Sequence, residues 1–184
     1  ALVHQQLYNA GEAMLTGDKE LAYKVISRER RVNAFELKID SDCEDIIALY
    51  APVAIDLRFV LAMYKINTNL ERLGDFAESI ARFAGNLPEG EPIDPQLVKE
   101  TRVEEMLSEL LSMISLTKEA FEKESSEIAS RIFLKDNLID EINHNSTAII
   151  AKYIEEHKGS ALAGLYMAGV IRKMERFGDH CTNI

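Results

Sequence analysis

Residues 59–84 read FVLAMYKINTNLERLGDFAESIARFA, and residues 163–184 read AGLYMAGVIRKMERFGDHCTNI. In the first stretch Phe59, Met63, Ile66, Leu70, Leu73, Ala77, Ile80 and Ala84 alternate spacings of four and three. That is the rhythm of a helix packing along partners in a bundle. In the second stretch Ala163, Met167, Val170, Met174, Phe177, Cys181 and Ile184 take the equivalent positions, and every one is apolar. A seam matched over this length points to an internal duplication. It also makes Cys181, the equivalent of Ala77, a core thiol, and Met63, Met167 and Met174 core filler rather than a metal-binding methionine array.

The rest of the chain reads as helix after helix, which sets the fold class as all-α. Residues 1–15 form the end of one helix, closed by Thr16 and Gly17. Asp18 is placed to cap a second helix running to about Leu49. Pro52 breaks it and opens a third, which carries the first seam to about Ala84. Asp94 and Pro95 read as N-cap and first residue of a fourth helix reaching about Lys123. Ser125 or Ser126 caps a fifth, to about Glu156, and Gly159-Ser160 starts the sixth. Between the halves, residues 85–92 hold two glycines and two of the four prolines, so they are the linker. The expected architecture is two tandem three-helix bundles related by a pseudo-two-fold repeat, at 1–86 and 95–184, joined by 87–94. The second and fifth helices match more loosely, with Glu29 and Asn33 opposite Asp136 and Asp140.

Composition narrows the function. The 184 residues are 47% hydrophobic and 28% charged, with a net charge of -10 and a pI near 4.9. That is an ordinary globular balance, and the acidic surface argues against nucleic-acid binding. Cys43 and Cys181 are far apart and form no metal-binding spacing, and no signal peptide or membrane-length apolar run is present. A cytoplasmic location fits.

The chemistry lies in a motif present twice, Glu71-Arg72-Leu73-Gly74-Asp75 and Glu175-Arg176-Phe177-Gly178-Asp179. Carboxylates four apart lie on one side of a helix, one turn from each other, beside the apolar seam. Like charges so placed cost roughly 0.2–0.5 kcal/mol, and glycine within a helix costs about 1 kcal/mol against alanine. Both costs recur at the same place in each half. Glycine allows close approach to the backbone, and a hard cation held by oxygen ligands would relieve the carboxylates. A single such pair in an acidic protein is a solvated face; two equivalent copies with partner residues on a neighbouring helix favour metal binding. Those partners are Glu29 and Asn33 in the first half and Asp136 and Asp140 in the second. Because Asn33 is neutral, the second site is expected to be the stronger.

Other patterns carry less. Glu141 and His144 make a single Glu-x-x-His, whereas di-iron bundles need two. His180 follows Asp179 and reads as an exposed helix histidine ahead of a nitrogen ligand to a metal. Arg72 and Arg176 pair with neighbouring acids or meet an anion. There is no glycine-rich phosphate loop and no Ser/His/Asp constellation.

The paired motif, the two-half layout and Pro52-Val53-Ala54-Ile55-Asp56-Leu57-Arg58 together resemble the PhoU family over nearly the whole chain. The resemblance implies multinuclear metal clusters, of iron or zinc in relatives, with magnesium or manganese as other hard cations. It places them on Glu29, Glu71 and Asp75 in one bundle and Asp136, Asp140, Glu175 and Asp179 in the other. It implies a non-enzymatic accessory protein of the phosphate-specific ABC transporter, acting with the transporter ATPase and a sensor histidine kinase to repress phosphate-starvation genes. Relatives often form dimers and extend further at both ends, so the first and last helices are expected to be incomplete. The alternatives are a carboxylate-metal enzyme, a structural bundle similar to spectrin repeats, and a PhoU-like domain of another phosphate transporter.

Overall fold

A computed structural model describes residues 2–86 and 93–184. Most of the expected linker, residues 87–92, lies outside the described residues. The described residues form seven helices and no strand: α1 (Leu2–Thr16), α2 (Lys19–Tyr50), α3 (Ala54–Gly85), α4 (Pro95–Thr101), α5 (Val103–Glu122), α6 (Ser126–Glu156) and α7 (Ala161–Asn183). None of these helices is long and apolar enough to cross a membrane.

The helix boundaries follow local chemistry. The Asp18 carboxylate accepts the Leu21 amide at 2.9 Å, and Gly17 before it takes a positive φ of 71°. Asp94 accepts the Gln96 amide at 2.8 Å, with Pro95 following as a first-turn residue that has no amide to satisfy. Ser125 caps α6 through the Ile128 amide at 3.3 Å. The α2–α3 turn is more costly. Ala51 and Ala54 on either side of Pro52-Val53 both adopt left-handed backbone, with φ of 46° and 50°, where a Cβ is crowded.

The fourth helix is not continuous to Lys123, as its sequence pattern predicts. It breaks at Arg102, which takes a left-handed φ of 56° and divides α4 from α5. Three bonds hold Arg102 there: its Nε and Nη2 donate to Glu105 at 2.7 and 3.0 Å, and its Nη1 donates to Glu141 on α6 at 2.8 Å. A bidentate pair plus a contact to a second helix competes with simple helix propagation, and periodicity does not register it.

Helices α1, α2 and α3 pack together, as do α5, α6 and α7, giving two three-helix bundles. The bundles meet along α3 and α7, with α1 also touching α5. One apolar core runs through both. Leu7, Met14, Leu73 and Ile80 fill the first half, and Met106, Leu110, Met113, Ile139, Met167, Ile171 and Phe177 fill the second. The seam of α7 is buried from Met167 to Cys181, and burial pushes the Cys181 thiol well above its usual range. The seam of α3 is buried only from Leu73 onward. Phe59 is exposed, and Met63, Ile66 and Leu70 are partly so. Met63 lines an open apolar groove with Phe35, Ile39 and Ile66.

The junction of α3 with α7 is antiparallel and regular. Asn69 lies against His180, Phe76 against Lys173 and Phe83 against Tyr166, so contacts recur every seven residues on both helices. The repeat equates Phe76 with His180 and Asn69 with Lys173, and the two rings at the centre, Phe76 and His180, stand 5.4 Å apart. The pseudo-two-fold axis thus passes between Arg72 and Arg176.

Candidate functional site

Each duplicated motif faces the neighbouring helix of its own bundle. In the first bundle the register of α2 against α3 is set by apolar and polar contacts together. A Cβ added to Gly74 would stand 2.9 Å from Val32 Cγ1, and Asn67 Nδ2 donates to Glu36 O at 2.9 Å and to Asp40 Oδ1 at 2.7 Å. The two helices run antiparallel, so this register sets Glu71 opposite Glu36, Asp75 beside Asn33, and Glu78 opposite Glu29. The register thus places Glu29, Asn33, Glu71 and Asp75 along the same α2–α3 interface, where Glu36 and Glu78 also lie. The sequence carried a signal for both additions. Each lies seven residues beyond an acid of the site, two turns along the same face.

The first site is a partly buried acidic trough. Burial pushes the Glu29 carboxyl up, and the charges of Glu78 and Asp75 push the same way, while a hydrogen bond from the Asn33 side chain and the charge of Arg82 oppose. Glu71 is raised by burial, then by Asp75 and Glu36, while Arg72 opposes. Glu29 is 9% exposed. Its Oε1 and the Oδ1 of Asn33 are buried with no hydrogen-bond partner. A buried carboxylate oxygen without a donor is expensive. The neutrality of Asn33 therefore does not leave this site short of oxygen: its amide oxygen is itself an unpartnered acceptor.

The second site follows the same plan with fewer acids. Asp136 and Asp140 on α6 meet Glu175 and Asp179 on α7. Burial, then the charges of Asp140, Asp179 and Glu175, push the Asp136 carboxyl up to about 6. Glu175 is raised by burial and by Asp179 and Asp140, with Arg176 and Arg172 opposing. The motif glycine has a distinct task here. A Cβ on Gly178 would lie 2.9 Å from Asp136 Oδ1, so the glycine admits a carboxylate, where Gly74 admits a valine.

As they stand, the side chains are not gathered around a common point. Among the described residues no group of three or more His, Cys, Asp or Glu is arranged to hold a metal ion directly. Uncompensated carboxylates repel one another. The donor set nonetheless fits a hard cation: oxygen ligands only, raised carboxyls, and orphaned acceptor oxygens.

The arginines partly offset these charges. Arg72 Nη1 bonds Asp75 Oδ2 at 3.0 Å and its Nε lies 3.6 Å from Glu71. Among the described residues Arg176 reaches only Glu175, at 3.7 Å. His180 is not an exposed helix histidine. It is half-buried at the bundle junction, with its Nδ1 2.8 Å from Asn69 Oδ1. Burial lowers its pKa, Arg72 and Arg176 add to this, and Asp179 opposes. His144 is exposed, and Glu141 is taken by Arg102, so that pair builds nothing.

The family model described as PhoU domain matches residues 1–84 and 103–184. The chain belongs to the PhoU family. It is 32% identical over 183 residues to a phosphate-specific transport system accessory protein PhoU homolog of Burkholderia sp, covering 100% of this chain and 77% of that protein. It is 34% identical over 186 residues to the phosphate-specific transport system accessory protein PhoU of Escherichia coli (strain K12), covering 100% of this chain and 74% of that one. Its fold superposes on the crystal structure of PhoU from Pseudomonas aeruginosa with a TM-score of 0.92 at 28% identity, covering 99% of this chain and 86% of that chain. PhoU from Streptococcus pneumoniae, a phosphate transport system regulatory protein, gives 0.87 at 28% identity, covering 99% and 84%. The two-bundle arrangement is thus that of the PhoU fold.

Proposed function

We propose that this PhoU-family chain is a cytoplasmic, non-enzymatic negative regulator of phosphate uptake and of the phosphate-starvation response. It acts as a cation-loaded adaptor between the phosphate ABC transporter ATPase and a sensor histidine kinase, and it works as a homodimer. The names of its relatives support the link to phosphate transport. The observation that carries the cation reading is the pair of equivalent acidic sites, one of which holds a buried Glu29 oxygen with no partner.

In the first site Glu29, Glu71 and Asp75 would hold the cation, with Asn33, Glu36 and Glu78 within the same trough. In the second, Asp136, Asp140, Glu175 and Asp179 would do so. Iron or zinc is the ion we favour by family resemblance, with manganese or magnesium as the other hard cations such a set accepts. A bound cation would neutralise the face on which both motifs lie and so set which charge pattern a partner meets.

The test has two arms. Elemental analysis of tag-free protein should find metal, lost on combining Glu71→Ala with Glu175→Ala. Pull-down with the transporter ATPase and with the sensor kinase should recover both, and recover less of each when metal is removed. Absence of both partners at high phosphate would defeat the adaptor reading, and metal-free protein at near-physiological metal would defeat the cation reading. Turnover that depends on Glu175 and on metal would favour an enzyme instead.

A further inference from the structure

One turn of α7 carries Arg172, Lys173 and Arg176, where the equivalent turn of α3 carries Thr68, Asn69 and Arg72. Arg172 and Arg176 stand one turn apart as like charges, which is unfavourable in a helix. Glu175 is the carboxylate that acts on both. Arg176 comes no closer than 3.7 Å to Glu175, outside hydrogen-bond distance. Lys173 Nζ lies over the Phe76 ring at 5.7 Å.

Arg72 adds a fourth cation from the other bundle. The contacts Asn69–His180 and Phe76–Lys173 bracket the midpoint of the α3–α7 junction, and Arg72 and Arg176 occupy that midpoint. Both side chains are 54% exposed. Their ion pairs with the acids of their own motifs are solvent-facing and therefore weak and exchangeable. Guanidinium groups bind tetrahedral oxyanions through paired N–H donors, with an ammonium adding charge. The acidic troughs on both sides oppose an anion unless their own charge is cancelled.

We infer that Arg72, Arg172, Lys173 and Arg176 form a binding site for a tetrahedral oxyanion of the phosphate class at the α3–α7 junction, opened when cations neutralise the two flanking acidic sites. A cation on Glu71 and Asp75 takes over the carboxylates that otherwise engage Arg72, so loading the troughs both frees the guanidinium and removes the repulsion. The cation clause rests on the proposed function; the arginine site does not.

Equilibrium dialysis of the full chain with radiolabelled inorganic phosphate tests it, with and without saturating manganese. Phosphate should be retained with manganese and released without it. Combining Arg72→Gln with Arg176→Gln should weaken phosphate about tenfold or more while manganese content stays unchanged. Combining Glu71→Gln, Asp75→Asn, Glu175→Gln and Asp179→Asn should give retention with no manganese. Phosphate that persists in the arginine variant sits on the metal or is adventitious, and overturns the inference. Manganese bound without phosphate overturns it too and leaves the cation reading intact. If manganese does not bind, the charge-neutralised variant decides: no phosphate there overturns the site. Circular dichroism of each variant confirms that it is folded.

Discussion

Gly178 and Asp136 are packed so closely that a Cβ on the glycine would stand 2.9 Å from Asp136 Oδ1. The glycine of the second motif is thus a seat for a carboxylate of the neighbouring helix. Gly178→Ala gains about 1 kcal/mol of helix propensity but pushes Asp136 outward. The expected outcome is about tenfold weaker cation binding at the second site with little loss of melting temperature. Gly74→Ala should behave oppositely, disturbing Val32 and lowering stability more than cation affinity. Isothermal titration with manganese and thermal melts on both variants check this.

Metal-free protein should become less stable as pH rises from about 4 to about 6. Asp136 moves from an ordinary 3.8 to about 6 in the fold. A carboxyl with a raised folded pKa resists ionisation, so the folded state is favoured while the group is protonated and loses that advantage above its unfolded value. At neutral pH the penalty is at most about 3 kcal/mol before solvent screening. Asp136→Asn should therefore melt higher than the native chain at pH 7 and equal to it near pH 4. Saturating cation should abolish the difference at pH 7.

Asn33→Asp should tighten cation binding at the first site and lower the melting temperature of the metal-free chain, because it adds charge beside Glu29 and Asp75. Glu78→Gln should do the reverse, since its charge acts on Glu29. The effect on metal-free stability is on the order of 1 kcal/mol in each case. Elemental analysis paired with melting curves separates the two directions. If Glu78→Gln left both unchanged, Glu78 would not belong to the site.

The Asn69–His180 bond should contribute to the joining of the bundles. A double-mutant cycle with Asn69→Ala and His180→Ala should give a coupling of about 0.5–1.5 kcal/mol. Urea unfolding monitored by circular dichroism measures it. A coupling of zero would mean that water replaces the contact.

Helix identity and order were legible, apart from the division of α4 from α5, because caps and apolar seams are local. The Arg102 break was not, because one of the two carboxylates that hold Arg102, Glu141, is 39 positions away. The outer half of the α3 seam is as apolar as the inner half, yet Phe59 is exposed; periodicity shows which face seeks a partner, not what covers it. Within the site, the motif spacing marked Glu71, Asp75, Glu175 and Asp179. The roles of Glu36 and Glu78 needed the register of α2 on α3.

The sequence by itself determined that this is a duplicated helical protein with one acidic motif beside each seam, since helical periodicity and spacing within a turn are short-range properties. Only the tertiary structure decided that Gly74 admits a valine while Gly178 admits an aspartate, that Glu29 is buried with an unpartnered oxygen, and that the register of α3 on α7 sets Arg72 and Arg176 on either side of the pseudo-two-fold axis. Those facts depend on register and approach distance between helices, which packing sets and no single helix encodes.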